Sequence, residues 1–200
     1  GHSTTGTLSA AIKNTGVGLL ALDALTSGDS NTAIGYNAGS SINSGGDNVL
    51  IGTQAGDALT SGSGNVAIGK NALTVEDADG RNVAIGYQAL KVQNAGSDAY
   101  NIAIGYQAGI SISTGVRNTL IGGLAGDALT TGPRNVAIGY LALSTEDTGR
   151  KNVAIGYEAL KDLNYDGDGN NVAVGNVAGT AITTGVENTV IGSLAGDALT

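Results

Sequence analysis

Apolar residues occur in this chain as short bursts closed by glycine. Val49-Leu50-Ile51-Gly52, Val66-Ala67-Ile68-Gly69 and Val83-Ala84-Ile85-Gly86 are three in succession. An asparagine stands directly before each burst, an alanine follows three residues after the glycine, and a polar stretch rich in Ser, Thr, Asp and Gly completes the unit. The asparagines are Asn14, Asn31, Asn48, Asn65, Asn82, Asn101, Asn118, Asn135, Asn152, Asn171 and Asn188, spaced by 17 residues except for steps of 19 after Asn82 and Asn152. Eleven occurrences in register define a repeat protein. The unit is too short for a helical hairpin, which needs more than about 30 residues. A burst of Val and Ile ended by Gly reads as a strand, and Asn and Gly adopt the conformations that turn tight corners. One turn per unit predicts an all-β fold, a parallel β-solenoid (a β-helix or β-roll) of 17-residue coils. At about 4.8 Å per coil, eleven coils make a rod roughly 50 Å long. Asn31, Gly35, Asn82, Ile85, Gly86, Ala89, Asn152, Ile155 and Gly156 mark the structural columns.

A longer period overlies the first. The two 19-residue units, 82–100 and 152–170, lie 70 residues apart, so 31–100 and 101–170 are two copies of a four-unit block and 171–200 begins a third. Ala55-Gly56-Asp57-Ala58-Leu59-Thr60 returns as 125–130 and as 195–200. The organisation predicted is a tag remnant at 1–3, a lead-in segment at 4–13, and one solenoid over 14–200 with coils starting at the eleven asparagines. Because the last unit stops without a cap, the chain reads as a fragment of a longer fibre.

Each strand is apolar on both faces. Its second and fourth unit positions (Val, Thr or Ile, then Ile or Val) share one face because side chains alternate. The third, on the other face, is Ala33, Leu50, Ala67, Ala84, Ala103, Leu120, Ala137, Ala154, Ala173 or Val190. The Ile column, with Ile85 as its test case, is expected to line the interior, where an Asp substitution buries an unpaired charge. The opposite face must then meet something else. Another copy around a threefold axis, giving a homotrimer, is one answer. A wider monomeric coil that buries both faces is the other.

Composition removes several chemistries. There is no Cys, Trp, Phe or Met, and the one histidine is His2, within the segment that reads as a tag remnant. Disulfides, thiolate or histidine metal sites and a Ser-His-Asp triad are thereby excluded. Nine basic residues against seventeen acidic ones, a net charge of −8, disfavour nucleic acid. No apolar run approaches the roughly 18 residues of a membrane-spanning helix, so no membrane insertion is expected.

The unit N-x-A-I-G-Y-x-A-L, at 82–90 and 152–160, resembles the repeats of phage tail-fibre and related tail-fibre-domain proteins. It is also similar to the repeats of trimeric autotransporter adhesin heads, whose coils are shorter. The resemblance covers residues 14–200. It implies trimeric assembly, a location on a virion or at the cell surface, and a role in host attachment through a cell-surface glycan or protein receptor.

Four features invite chemistry. Tyr36, Tyr87, Tyr106, Tyr140 and Tyr157 follow the glycine and form a candidate glycan stripe or, more plainly, cap the coil edge. Glu76/Asp77 and Glu146/Asp147 suggest the paired carboxylates of a glycosidase, but adjacent acids that recur with the repeat read more simply as solvated corners. Asp166, Asp168 and Asn170 form a candidate calcium loop on a Gly-rich turn, without the distal glutamate of the EF-hand pattern. Threonine pairs such as Thr130-Thr131 and Thr183-Thr184 suggest an ice-binding ladder, which Ser and Asn interrupt. Gly16-x-Gly18-x-x-Ala21 matches a nucleotide-loop pattern, but the repeat already accounts for it. The reading is therefore a non-enzymatic fibre shaft with no cofactor.

Overall fold

The computed structural model describes residues 11–78 and 80–199. Residues 1–3, expected to be a tag remnant, and most of the expected lead-in at 4–13 therefore lie outside the described residues. Among these residues there is no helix. Eleven three-residue strands stack in chain order as one parallel sheet: β1 Thr15–Val17, β2 Thr32–Ile34, β3 Val49–Ile51, β4 Val66–Ile68, β5 Val83–Ile85, β6 Ile102–Ile104, β7 Thr119–Ile121, β8 Val136–Ile138, β9 Val153–Ile155, β10 Val172–Val174 and β11 Thr189–Ile191. Register is strict, with each strand position paired to its repeat equivalent, as in Ala67 with Ala84 and Ile68 with Ile85. The chain is a β-solenoid with one coil per unit.

The asparagine column explains that register. Each Asn Oδ1 accepts the backbone N–H of the next asparagine, for example Asn135 N–H to Asn118 Oδ1 at 2.8 Å. In most coils its Nδ2 donates to a carbonyl fourteen residues on, as Asn118 does to Gly132 at 3.0 Å. One buried side chain thus ties the strand start to the next coil and to the far corner of its own. The asparagines from Asn31 to Asn171 are fully buried, so in low dielectric these bonds are costly to lose.

The glycine closing each strand has φ near +135°, a conformation other residues rarely adopt. A Cβ on Gly86 would also lie 2.2 Å from the carbonyl oxygen of Gly105. The column is glycine because coils touch there backbone to backbone. Three further positions per coil sit in the left-handed region without needing glycine, for instance Gln54, Leu73 and Arg81. Bonds to neighbouring coils hold them there, such as Gln54 N–H to the Tyr36 carbonyl at 2.8 Å.

The interior is not the one expected for Ile85. The inward face carries the third unit position: Ala33, Leu50, Ala67, Ala84, Ala103, Leu120, Ala137, Ala154 and Ala173 are all fully buried. Ile85 and Ile155 are only half-buried and lie on the outward face. The reason is alternation. Asn at the first position must point inward to make its bonds, so the third position follows it and the second and fourth point out.

Three more columns complete the core. One is the alanine three residues after the glycine (Ala38, Ala89, Ala159), and one is the leucine that follows it in some coils (Leu22, Leu73, Leu90, Leu143, Leu160). The third, seven residues after the glycine, holds Leu25, Ile42, Leu59, Ile112, Leu129, Leu163 and Ile182. In three coils that last column is polar: Glu76, Gln93 and Glu146, each fully buried. The expectation that Glu76 and Glu146 are solvated corners is therefore incorrect. Only their neighbours Asp77 and Asp147 reach solvent.

Candidate functional surface

The residues that point outward from the strands build a long flat face. Its central columns are Val, Thr or Ile at the second position and Ile or Val at the fourth, repeated in all eleven strands. Most are half-buried, and Ile34, Ile102 and Ile191 are exposed. β-branched residues suit this pleated surface, and strict register aligns their methyl groups along the rod. The ladder extends past the strands, because Gly52 N–H bonds the Ile34 carbonyl at 2.8 Å and Gln54 N–H that of Tyr36. The residue after each glycine is thereby fixed at one border of the face.

That border holds the tyrosines. Tyr36, Tyr87, Tyr106, Tyr140 and Tyr157 are between 39% and 55% exposed, too open for core packing. The structure brings four of them together in pairs. The rings of Tyr87 and Tyr106 stack at 5.5 Å between centroids, and those of Tyr140 and Tyr157 at 5.8 Å. Tyr36 stands apart, since Thr53 and Lys70 follow it in the column. The carboxylate of Glu158 beside Tyr157 raises that phenol's pKa, by hydrogen bond and by charge.

The opposite border was not singled out by sequence reasoning. It is the residue before each asparagine, and through five successive coils it reads Arg81, Tyr100, Arg117, Arg134, Lys151. The guanidinium of Arg81 lies over the Tyr100 ring at 5.6 Å and also pairs with Asp98. The signal was present as a column offset by one residue from the asparagines.

The remaining candidates disperse. Asp168 is held by Lys151 and Arg150, the latter at 3.1 Å; hydrogen bonding to Lys151 and these cations lower its pKa. Asp166 accepts a hydrogen bond from the Thr148 hydroxyl, and the Asn170 amide donates to the Asp168 carbonyl at 3.4 Å. The Asp166 and Asp168 carboxylates are thus each engaged by neighbouring side chains, and no group of three or more His, Cys, Asp or Glu side chains among the described residues is placed to hold a metal. Of the threonine pairs, the Thr130 hydroxyl donates to the Asp147 carbonyl one coil on, as Thr26 and Thr60 do in their coils. Gly16 and Gly18 belong to β1 and the turn after it, with no helix to receive a phosphate.

The buried carboxylates meet backbone and amides. Glu146 accepts from the N–H groups of Gly149 at 2.7 Å and Tyr165 at 3.2 Å. Desolvation nevertheless raises its pKa. Glu76 accepts from the Asn82 amide at 3.4 Å, and Gln93 Oε1 from the Asn101 amide at 2.7 Å. These polar residues sit where the 19-residue coils interrupt the asparagine pattern. Asn82 does not make the usual carbonyl bond, and Asn152 Nδ2 is buried without a partner. Neither Glu76 nor Glu146 is reachable by a polysaccharide.

No family model, curated protein or solved structure matches this chain. Among the described residues, no helix is long and apolar enough to cross a membrane.

Proposed function

We propose that this chain is a non-enzymatic structural segment of a fibre shaft whose copies associate along the outward sheet face, as a homotrimer. The observation that carries the reading is that face: two aligned columns of Val, Ile and Thr run through all eleven coils. A monomer leaves this strip partly exposed along its whole length, whereas strands apolar on both faces are characteristic of double burial. The mechanism is mechanical. Ladder hydrogen bonds and an asparagine spine make a stiff rod, and association adds a second dry layer. Resemblance of the N-x-A-I-G-Y-x-A-L unit to tail-fibre and adhesin-head repeats supports a role in host attachment, on a virion or at a cell surface. Sedimentation or light-scattering mass tests it: a trimer is expected, and a clean monomer across micromolar to hundred-micromolar concentrations would overturn it.

A second reading rests on the exposed Tyr87–Tyr106 and Tyr140–Tyr157 stacks. Aromatic platforms of this kind suit sugar faces, so the same border serves an adhesive surface if it stays open. Glycan-array binding lost in Tyr87→Ala and Tyr140→Ala favours this reading over the seam.

A further inference from the structure

The outward face has unlike borders, and the two match coil by coil. Residues flanking the same strand are level: Arg81 with Tyr87 across β5, Tyr100 with Tyr106 across β6, Arg134 with Tyr140 across β8, and Lys151 with Tyr157 across β9. Arg117 is level with Gly123 across β7, whose missing side chain leaves room between Tyr106 and Tyr140. Beyond these coils both borders turn polar together, as Asp47 with Thr53, Asn170 with Asn176 and Glu187 with Ser193. Three coils depart from the rule: Tyr36 is level with Ser30, exposed Leu19 with Lys13, and Lys70, a cation on the tyrosine border, with Gly64. Arg81, Arg117 and Arg134 are exposed, although Asp98 shares Arg81 and Asp168 shares Lys151.

Each strand's third position lies midway between the borders, as it does between the second and fourth positions. Two such faces can therefore meet in two ways. Related by rotation about an axis parallel to the rod, such as the threefold proposed above, the cationic border of one copy meets the tyrosine border of the next. Turned end for end, like borders meet and Arg and Lys oppose Arg and Lys, which like-charge repulsion disfavours. The first arrangement places cations over aromatic rings, the contact Arg81 already makes with Tyr100 within one chain.

We infer that copies of this chain pack in parallel at equal height, the Arg/Lys border of one against the tyrosine border of the next. This rests on the self-association proposed above and specifies its polarity and register. Border-to-opposite-border contact repeats around an axis along the rod and closes on itself.

The chain has no cysteine, so Arg134→Cys combined with Tyr140→Cys introduces the only two thiols. Within one chain these positions are separated by an extended segment of roughly 20 Å. That is too far for a disulfide, which needs Cα atoms closer than about 7 Å. Mild oxidation of the double variant, read on a non-reducing gel, is expected to give covalent oligomers, and each single variant none. An oligomer by mass whose double variant stays unlinked overturns the seam and leaves self-association standing. Linking by Arg134→Cys alone reports like borders in contact and overturns it too. A monomeric parent chain overturns both. As a second measurement, Arg134→Gln with Lys151→Gln is expected to raise the dissociation constant tenfold or more with unchanged circular dichroism. Unchanged association would contradict the cation contacts.

Discussion

Leu50 occupies the space that a side chain at Gly56 would need: a Cβ built on Gly56 would lie 2.8 Å from Leu50 Cδ2. Gly39, one coil earlier, is blocked by the same leucine at 2.6 Å. Leu120 stands in the same relation to Gly109 and Gly126, and Val190 to Gly179 and Gly196. Where the inward strand residue is alanine, as at Ala67, Ala84, Ala137 and Ala154, the glycine's place is taken by Leu73, Leu90, Leu143 or Leu160. The 70-residue period is thus a packing period. One large strand-side residue, such as Leu50 or Leu120, serves two coils, and the turn-side leucines fill the next two coils one apiece.

Exchange between the two solutions follows from that relation. Leu50→Ala opens a cavity lined by two glycines and is expected to cost about 2–5 kcal/mol. Gly56→Leu alone overpacks against Leu50 and costs about 1–3 kcal/mol. Together they reproduce the Ala67/Leu73 combination, and the double variant is expected to lose less than the sum of the two. Chemical denaturation of all four proteins measures the coupling; simple additivity would count against the shared-space assignment.

The asparagine spine is not uniform. Asn118→Ala leaves the Asn135 N–H and the Gly132 carbonyl, two buried groups, without partners, and is expected to cost about 2–6 kcal/mol. Asn152→Ala loses bonds only at Oδ1, because its Nδ2 already lacks a partner. Thermal melts should therefore rank Asn118→Ala as the more damaging of the two. Equal losses would mean that the far-corner carbonyl bond contributes little.

Glu146 sets a pH dependence. Desolvation raises its pKa in the folded chain above the ordinary 4.5, so the folded state holds its proton more tightly than the unfolded state. Stability from this group is full below 4.5 and is lost as pH rises through the folded pKa. Asp57 and Asp127, also raised by desolvation, act in the same direction. Stability measured from neutral pH downward is expected to rise, and Glu146→Gln to flatten part of that rise. A variant with the same pH slope as the parent would exclude Glu146 as a source.

Ile85 distinguishes the chain from its assembly. Because it faces outward, Ile85→Asp places a charge in or near water in the isolated coil, and the monomer's melting midpoint should move by no more than a few degrees. In the proposed assembly the same charge lies within the apolar strip, without a partner, and association should be lost. A large loss of monomer stability would return Ile85 to the interior.

The coil, its columns and its parallel register were legible because the asparagine and glycine spacing needs no knowledge of distant contacts. The buried role of Glu76, Gln93 and Glu146 was legible too, since each stands seven residues after a glycine, where other coils place Leu or Ile. The carboxyl groups of Glu76 and Glu146 misled only when read as side-chain types apart from their column. The pairing of Leu50 with Gly39 and Gly56 was likewise written in the 70-residue period, but its meaning required knowing that the two columns share one volume.

Sequence alone determined that the chain winds one coil per unit and stacks coils in register, because local turn chemistry and repetition suffice for that. It did not determine which strand face turns inward, since Val, Ile, Leu and Ala make both faces apolar and alternation gives only their opposition. Tertiary structure decided it through the asparagine. Its amide finds both partners only inside the coil, which carries Ala84 in with Asn82 and leaves Ile85 out.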